Sequence, residues 1–112
     1  MESSLSNGAA LAPGTPVAIV HLRAGAGHSA DWVLRSGEAT GEWAARRADV
    51  AGAGVKAPSP WVSWLAGNFL AQRYRSRWTL ERPERASSLR IERAPGVPPD
   101  LAVAVYQLEI RR

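Results

Sequence analysis

Apolar and polar positions alternate along much of this chain, with turn-forming residues breaking the alternation every ten residues or so. Pro16-Val17-Ala18-Ile19-Val20-His21-Leu22-Arg23 is rich in β-branched side chains and bounded by turn formers, which predicts a strand. Gly25-Ala26-Gly27-His28 reads as a turn, and Ser29 to Arg35 as the returning arm of a hairpin, with Ala30, Trp32 and Leu34 on one face. The clearest alternation runs from Asn68 to Leu80. Leu70, Tyr74, Trp78 and Leu80 share one face there, and Arg73, Arg75 and Arg77 share the other. Ser88 to Arg93 predicts a short strand with Leu89 and Ile91 inward. Leu101 to Ile110 predicts a last strand, covered on both faces at its start and wet at its end. Turns are expected around Pro83 and across Ala94 to Asp100, and a loop through Gly52, Gly54, Pro58 and Pro60. Trp43 to Val50 suggests one or two helical turns or an irregular crossing segment. Residues 1–15 are small and polar and predict a flexible lead-in, leaving 16–112 as a single domain.

Short strands with turn signals predict an all-β fold, an antiparallel jelly-roll β-sandwich with at most one short helix. The length of 112 residues suits one domain, and the 18 glycines and prolines sit between the apolar runs. Absence of cysteine excludes disulfides and thiolate zinc sites. The Leu11 to Val20 stretch is broken by Pro13 and Pro16 and has no basic flank, so it reads as neither a signal peptide nor a membrane span. The net charge of +4 is unevenly placed. Through residue 66 the cations Arg23, Arg35, Arg46, Arg47 and Lys56 match Glu2, Asp31, Glu38, Glu42 and Asp49, so the surplus follows Gly67. A basic face of this kind attracts phosphates or acidic glycans, or simply solvates a strand.

Two nucleotide and hydrolase motifs are approached and missed. Gly25-Ala26-Gly27-His28-Ser29-Ala30 fits a dinucleotide turn, but Trp32-Val33-Leu34 and Ser36-Gly37 leave no room for the helix that must hold the pyrophosphate. Ser29 resembles a nucleophile elbow, but Asp31 stands where a small residue is needed, and both His21 and His28 precede the serine. Two histidines seven residues apart make no metal cluster, and no cofactor is expected. Asp31, Glu38 and Glu42 would serve a small carboxylate-dependent hydrolase if the fold brought them together.

The five tryptophans say more. Trp32 and Trp78 sit in apolar alternation and are expected in the core, and Trp43 at one end of the sandwich. Trp61 and Trp64, beside a Gly/Pro loop, are candidates for exposure, where a flat ring stacks on a sugar, a base or a neighbouring domain. Arg73-Tyr74-Arg75-Ser76-Arg77-Trp78 interleaves cations and rings as a nucleic-acid binder does. A strand, however, sends those arginines and aromatics to opposite faces, so nucleic acid is not the expected partner.

Several segments together carry a resemblance. They are Ser4-Leu5-Ser6-Asn7-Gly8, Gly14-Thr15-Pro16-Val17-Ala18, Leu34-Arg35-Ser36-Gly37, Thr40-Gly41-Glu42-Trp43-Ala44, Arg47-Ala48-Asp49-Val50, Tyr74 to Leu80, and Leu89-Arg90-Ile91-Glu92-Arg93. The whole resembles a C-terminal domain of bacterial multi-pass membrane glycosyltransferase-like proteins, itself similar to the galactose-binding-like jelly roll of discoidin domains and carbohydrate-binding modules. Gly41 departs from the usual Ala there, Ala45-Arg46 from an aromatic-acidic pair, and Leu70-Ala71-Gln72 from a histidine-bearing stretch. The resemblance implies a non-catalytic accessory module outside the cytoplasm that binds glycan or packs on a glycan-processing domain. Trp61, Trp64, Arg73 and Arg75 are then the expected ligand contacts; a purely structural domain is the alternative. Far-UV circular dichroism should show a β spectrum, with helix well below the third or so found in average domains.

Overall fold

The computed structural model describes residues 1–25, 27–51, 57–80 and 85–110. Among these, the strands in chain order are β1 (Glu2–Ser6), β2 (Pro16–Ala24), β3 (His28–Arg35), β4 (Val62–Ala66), β5 (Phe69–Arg75), β6 (Ala86–Arg93) and β7 (Ala102–Gln107). A single helical turn, α1 (Ala48–Ala51), lies between β3 and β4. Four strands form one sheet in the order β4-β5-β1-β7, and three form a second in the order β3-β2-β6. Every pairing within the two sheets is antiparallel.

The sheets meet face to face because each strand sends alternate residues inward. From β2 these are Val20, Leu22 and Ala24; Leu34 comes from β3, and Leu5 and Tyr74 from the larger sheet. Leu5, Val17, Ala18, Leu34 and Leu101 form the buried centre, with Trp78, Ile91 and Val103 packed against it. The fold is therefore an all-β sandwich, as the alternation predicts. The β2–β3 hairpin and β6 fall where the sequence places them, and Leu89 and Ile91 point inward from β6.

The N-terminus corrects the sequence reading. Residues 2–6, expected in a flexible lead-in, form β1 in the middle of the larger sheet, between β5 and β7. Glu-Ser-Ser-Leu-Ser has one apolar residue and no β-branched one, so nothing in its composition suggests a buried strand. Small hydroxyls serve the purpose instead. The fully buried Ser3 Oγ lies 2.9 Å from Thr40 Oγ1, and Ser4 Oγ lies 2.9 Å from the Tyr106 hydroxyl. Both pairs satisfy polar atoms that would otherwise be costly to bury.

Beyond Ser3, β5 no longer pairs with β1, and the chain from Gly41 to Trp43 fills the gap. The Leu5 N–H donates to the Gly41 carbonyl (2.8 Å) and the Trp43 N–H to the Leu5 carbonyl (2.9 Å), while the Gln72 N–H of β5 reaches the Trp43 carbonyl (2.9 Å). Gly41 suits a tight approach. A Cβ there would lie 3.2 Å from the Tyr74 ring, the Pro58 Cδ and the Ala57 Cβ. Tyr74, fully buried, donates its hydroxyl to the Glu42 carbonyl at 2.9 Å. Burial, helped by the Glu42 charge, pushes its phenol up to about 12.

Three further boundaries differ from expectation. β5 stops at Arg75, and Trp78 leaves the strand to stack on Trp32, with ring centroids 5.8 Å apart; both rings are half-buried. Of the two tryptophans beside the Gly/Pro loop, Trp64 lies within the edge strand β4, which begins at Val62, and Trp61 in the bend just before it. The helical turn is confined to Ala48–Ala51, and Trp43 packs instead on Phe69 at 5.4 Å. The turn at Pro83, and Gly52 and Gly54 of the long loop, lie outside the described residues. Leu5→Ala should destabilise the domain by about 2–5 kcal/mol in urea denaturation, as for a fully buried leucine; a residue in a flexible lead-in would change nothing.

Candidate functional site

Strand pairing gathers the four expected contact residues onto one surface, the outer face of the four-stranded sheet. Arg73 and Arg75 are two residues apart on β5 and point the same way. The β4–β5 register sets Val62 opposite Arg73 and Trp64 opposite Ala71, so Trp64 shares that face. Glu2 pairs with Arg75 across β1 and joins them. Tyr106 arrives from β7 on the far side.

The side chains interlock. The Arg73 guanidinium reaches across β1, over the small Ser4, and lies 3.9 Å from the Tyr106 ring centroid and 5.0 Å from that of Trp64. Arg75 lies over Trp61 at 4.3 Å. Glu2 joins the two halves: one carboxylate oxygen accepts the Trp61 indole N–H at 3.0 Å, and the other stands 3.9 Å from an Arg73 terminal nitrogen. The Arg73 Nε is buried with no hydrogen-bond partner, so ring faces rather than acceptors hold that end of the side chain. Trp61 remains 52% exposed, whereas Trp64 is half-buried.

This arrangement alters the argument from alternation. Tyr74 does point away from the arginines, as a strand requires, but the rings that meet them come from β4, the bend before it, and β7. Tyr106 and Glu2 are members of the face that sequence reasoning missed. Tyr106 was visible only as one apolar position in the last strand, and Glu2 lay in the supposed lead-in. No local signal marks either one, because the strands that unite them are distant in sequence.

A second constellation sits on the outer face of the three-stranded sheet. His21, on central β2, lies with Nδ1 2.6 Å from Asp31 Oδ1 on β3 and Nε2 2.8 Å from Glu92 Oε1 on β6. Arg90 approaches the other Glu92 oxygen at 3.6 Å. Hydrogen bonds from Glu92 and then Asp31 hold the His21 pKa above its ordinary 6.5. Both ring nitrogens are taken up by carboxylates, which suits an imidazolium cross-link between three strands rather than a metal ligand. Among the described residues no group of His, Asp and Glu is arranged to hold a metal ion.

The three carboxylates considered for acid–base work have separate surroundings. Asp31 pairs with His21. Glu42 is buried and accepts the Gly8 N–H at 2.8 Å; burial raises its pKa, against the opposing pull of that N–H and of Arg47. Glu38 is exposed in the turn after β3, beside Gly14. The glycine turn at 25–27 leads into β3 at His28, with Gly25 and Gly27 at positive φ, so a strand follows where a dinucleotide turn would open a helix. Ala26, within that motif, lies outside the described residues. A hollow of about 350 Å³, lined among others by Arg46, Pro58, Pro60 and Gln72, opens beside α1. Among the described residues no helix is long and apolar enough to cross a membrane.

Compared with protein-family models, with curated proteins and with solved structures, the chain matches none.

The His21 cross-link gives a pH signature with a fixed sign. A pKa raised on folding adds stability that is complete below the unfolded value of 6.5 and is lost as pH rises through the folded value. The urea midpoint of the native chain should therefore exceed that of His21→Gln at pH 5.5, and the gap should narrow towards pH 8.5. A gap independent of pH would mean that His21 acts by packing alone.

Proposed function

We propose that this chain is a non-catalytic accessory module that binds carbohydrate through the outer face of its four-stranded sheet. The convergence of Trp61, Trp64, Arg73 and Arg75 on that face, with Trp61 half open to solvent, carries the reading. Sugar recognition pairs an aromatic surface, which meets the apolar C–H face of a pyranose, with planar hydrogen-bond donors for its hydroxyls. The Arg73 guanidinium, held between Tyr106 and Trp64, has little freedom left to lose on binding. The resemblance read in the sequence, to a galactose-binding-like jelly roll, would make this module part of a larger glycan-related protein outside the cytoplasm, and that placement belongs to the proposal.

A purely structural or interaction domain is the second reading, and one observation favours it. Leu65 and Leu70 face each other across the β4–β5 hairpin on its inward side, yet Leu65 is 73% and Leu70 48% exposed. The core does not extend over that end of the hairpin, and a neighbouring domain would cover it. Titration with neutral and acidic oligosaccharides, followed by tryptophan emission, separates the two readings. Binding should quench or shift the emission, and Trp61→Ala should abolish the response while changing stability by about 0.5 kcal/mol or less, as at an exposed position. If Trp61→Ala unfolds the domain, the ring serves the fold and the structural reading stands.

A further inference from the structure

We infer that the ligand of this face is an acidic glycan, and that Arg75 stacked on Trp61 receives its oxyanion group, a uronate carboxylate or a sulfate ester. This rests on the carbohydrate reading above and narrows it.

The two arginines of the face are not equivalent. Arg73 is fastened by two rings and stands near the Glu2 carboxylate, and its Nε is closed to any ligand. Arg75 is exposed, and among the described residues it has no ion-pair partner. Its guanidinium carbon lies 4.3 Å from the Trp61 ring centroid, and the Met1 ammonium, which donates to the Ser76 carbonyl, adds a second positive charge near it. Contact with the ring face restrains the guanidinium, and among the described residues its N–H donors have no protein acceptor. A fixed plane with open donors suits bidentate pairing with a planar carboxylate, or two oxygens of a sulfate. Glu2 is already engaged by the Trp61 indole N–H and does not reach Arg75 in the structure.

The same geometry argues for one anionic group rather than a phosphate chain. A nucleic-acid strand needs a track of free cations along its phosphates. Here Arg73 lies over Trp64 and Tyr106, Arg75 lies over Trp61, and Glu2 places a negative charge between the two arginines. A single open cation beside a half-exposed indole fits a sugar ring bearing one charge.

The test is affinity electrophoresis of the native chain in gels holding polygalacturonate, dextran sulfate, unsubstituted dextran or poly(dT). Binding to polygalacturonate or dextran sulfate is expected, and which of the two retards the protein more tells carboxylate from sulfate. Arg75→Gln should weaken that binding about tenfold or more, the scale of a lost charge-assisted hydrogen bond. Arg75→Lys, which keeps the charge and loses the fork, should weaken it in part. Arg23→Gln removes the same charge from exposed β2 and should leave binding within about twofold. Circular dichroism of each variant checks that the fold is kept. Equal losses in Arg75→Gln and Arg23→Gln would overturn the inference in favour of general charge attraction. Equally tight binding of unsubstituted dextran would overturn it too, while leaving the carbohydrate reading in place. Stronger retardation by poly(dT) than by either acidic polysaccharide would overturn both, as would no binding to any polysaccharide.

Discussion

Three backbone hydrogen bonds around Leu5 and Trp43 hold the larger sheet together. Without the Gly41 to Trp43 segment, β1 and β5 would part after Ser3, and the buried amide and carbonyl of Leu5 would lack partners. Leaving a buried backbone group unpaired costs about 1–3 kcal/mol, and here two would be stranded in a fully buried residue. Position 41 has no side chain, so the Tyr74 ring lies against its backbone without any neighbour having to give way. Tyr74 in turn anchors the segment through the Glu42 carbonyl, and the Glu42 carboxylate holds the loop after β1 at Gly8. Fold and surface both follow from this splice, since it keeps β1, with Glu2 and Ser4, beside the arginines of β5.

The outer face turns an apparent excess of charge into order. An arginine on a strand normally wanders in solvent and contributes little. Here the neighbouring strands offer ring faces, and small side chains lie in the path of the long one. Ser4 of β1 leaves open the passage by which Arg73 reaches β7. Each guanidinium is thus fixed by dispersion and ring electrostatics, which salt screens less than it screens an exposed ion pair. The opposite sheet solves its own charge problem differently, placing one histidine between two carboxylates on flanking strands.

Much of the architecture was legible because periodicity and turn chemistry agree over β2, β3 and β6. Val20, Leu22, Leu34 and Ile91 declare the inner face of the smaller sheet, while Val17, out of phase with them, is buried beside the register shift between Pro16 and Ala18. β1 was not legible, because a central strand covered by hydroxyls has the composition of a linker. The end of β5 was also hidden, since Trp78 continues the alternation in sequence while the chain has already turned away to meet Trp32. Of the candidate site, Arg73 and Arg75 could be placed on one face by parity alone. Their meeting with Trp61, Trp64, Tyr106 and Glu2 depends on which strands are neighbours. Alternation within one strand carries no information about that, as Tyr74 illustrates by pointing correctly inward while other rings meet the arginines.

The central position of β1 also sets an order of assembly. Its residues precede the other strands along the chain, yet Leu5 pairs with Val103 and Glu2 with Gln107. The β2–β3 hairpin can close locally as soon as residue 35 is free, whereas the larger sheet must bring together segments about a hundred residues apart. Loop-closure entropy has to be overcome before any of those long-range bonds reward it, which places the domain among slow, high-contact-order folders. Until β7 emerges, β1 has an unpaired edge, and the nascent chain carries half a sandwich with its inner face open to whatever chaperone or neighbouring strand reaches it first.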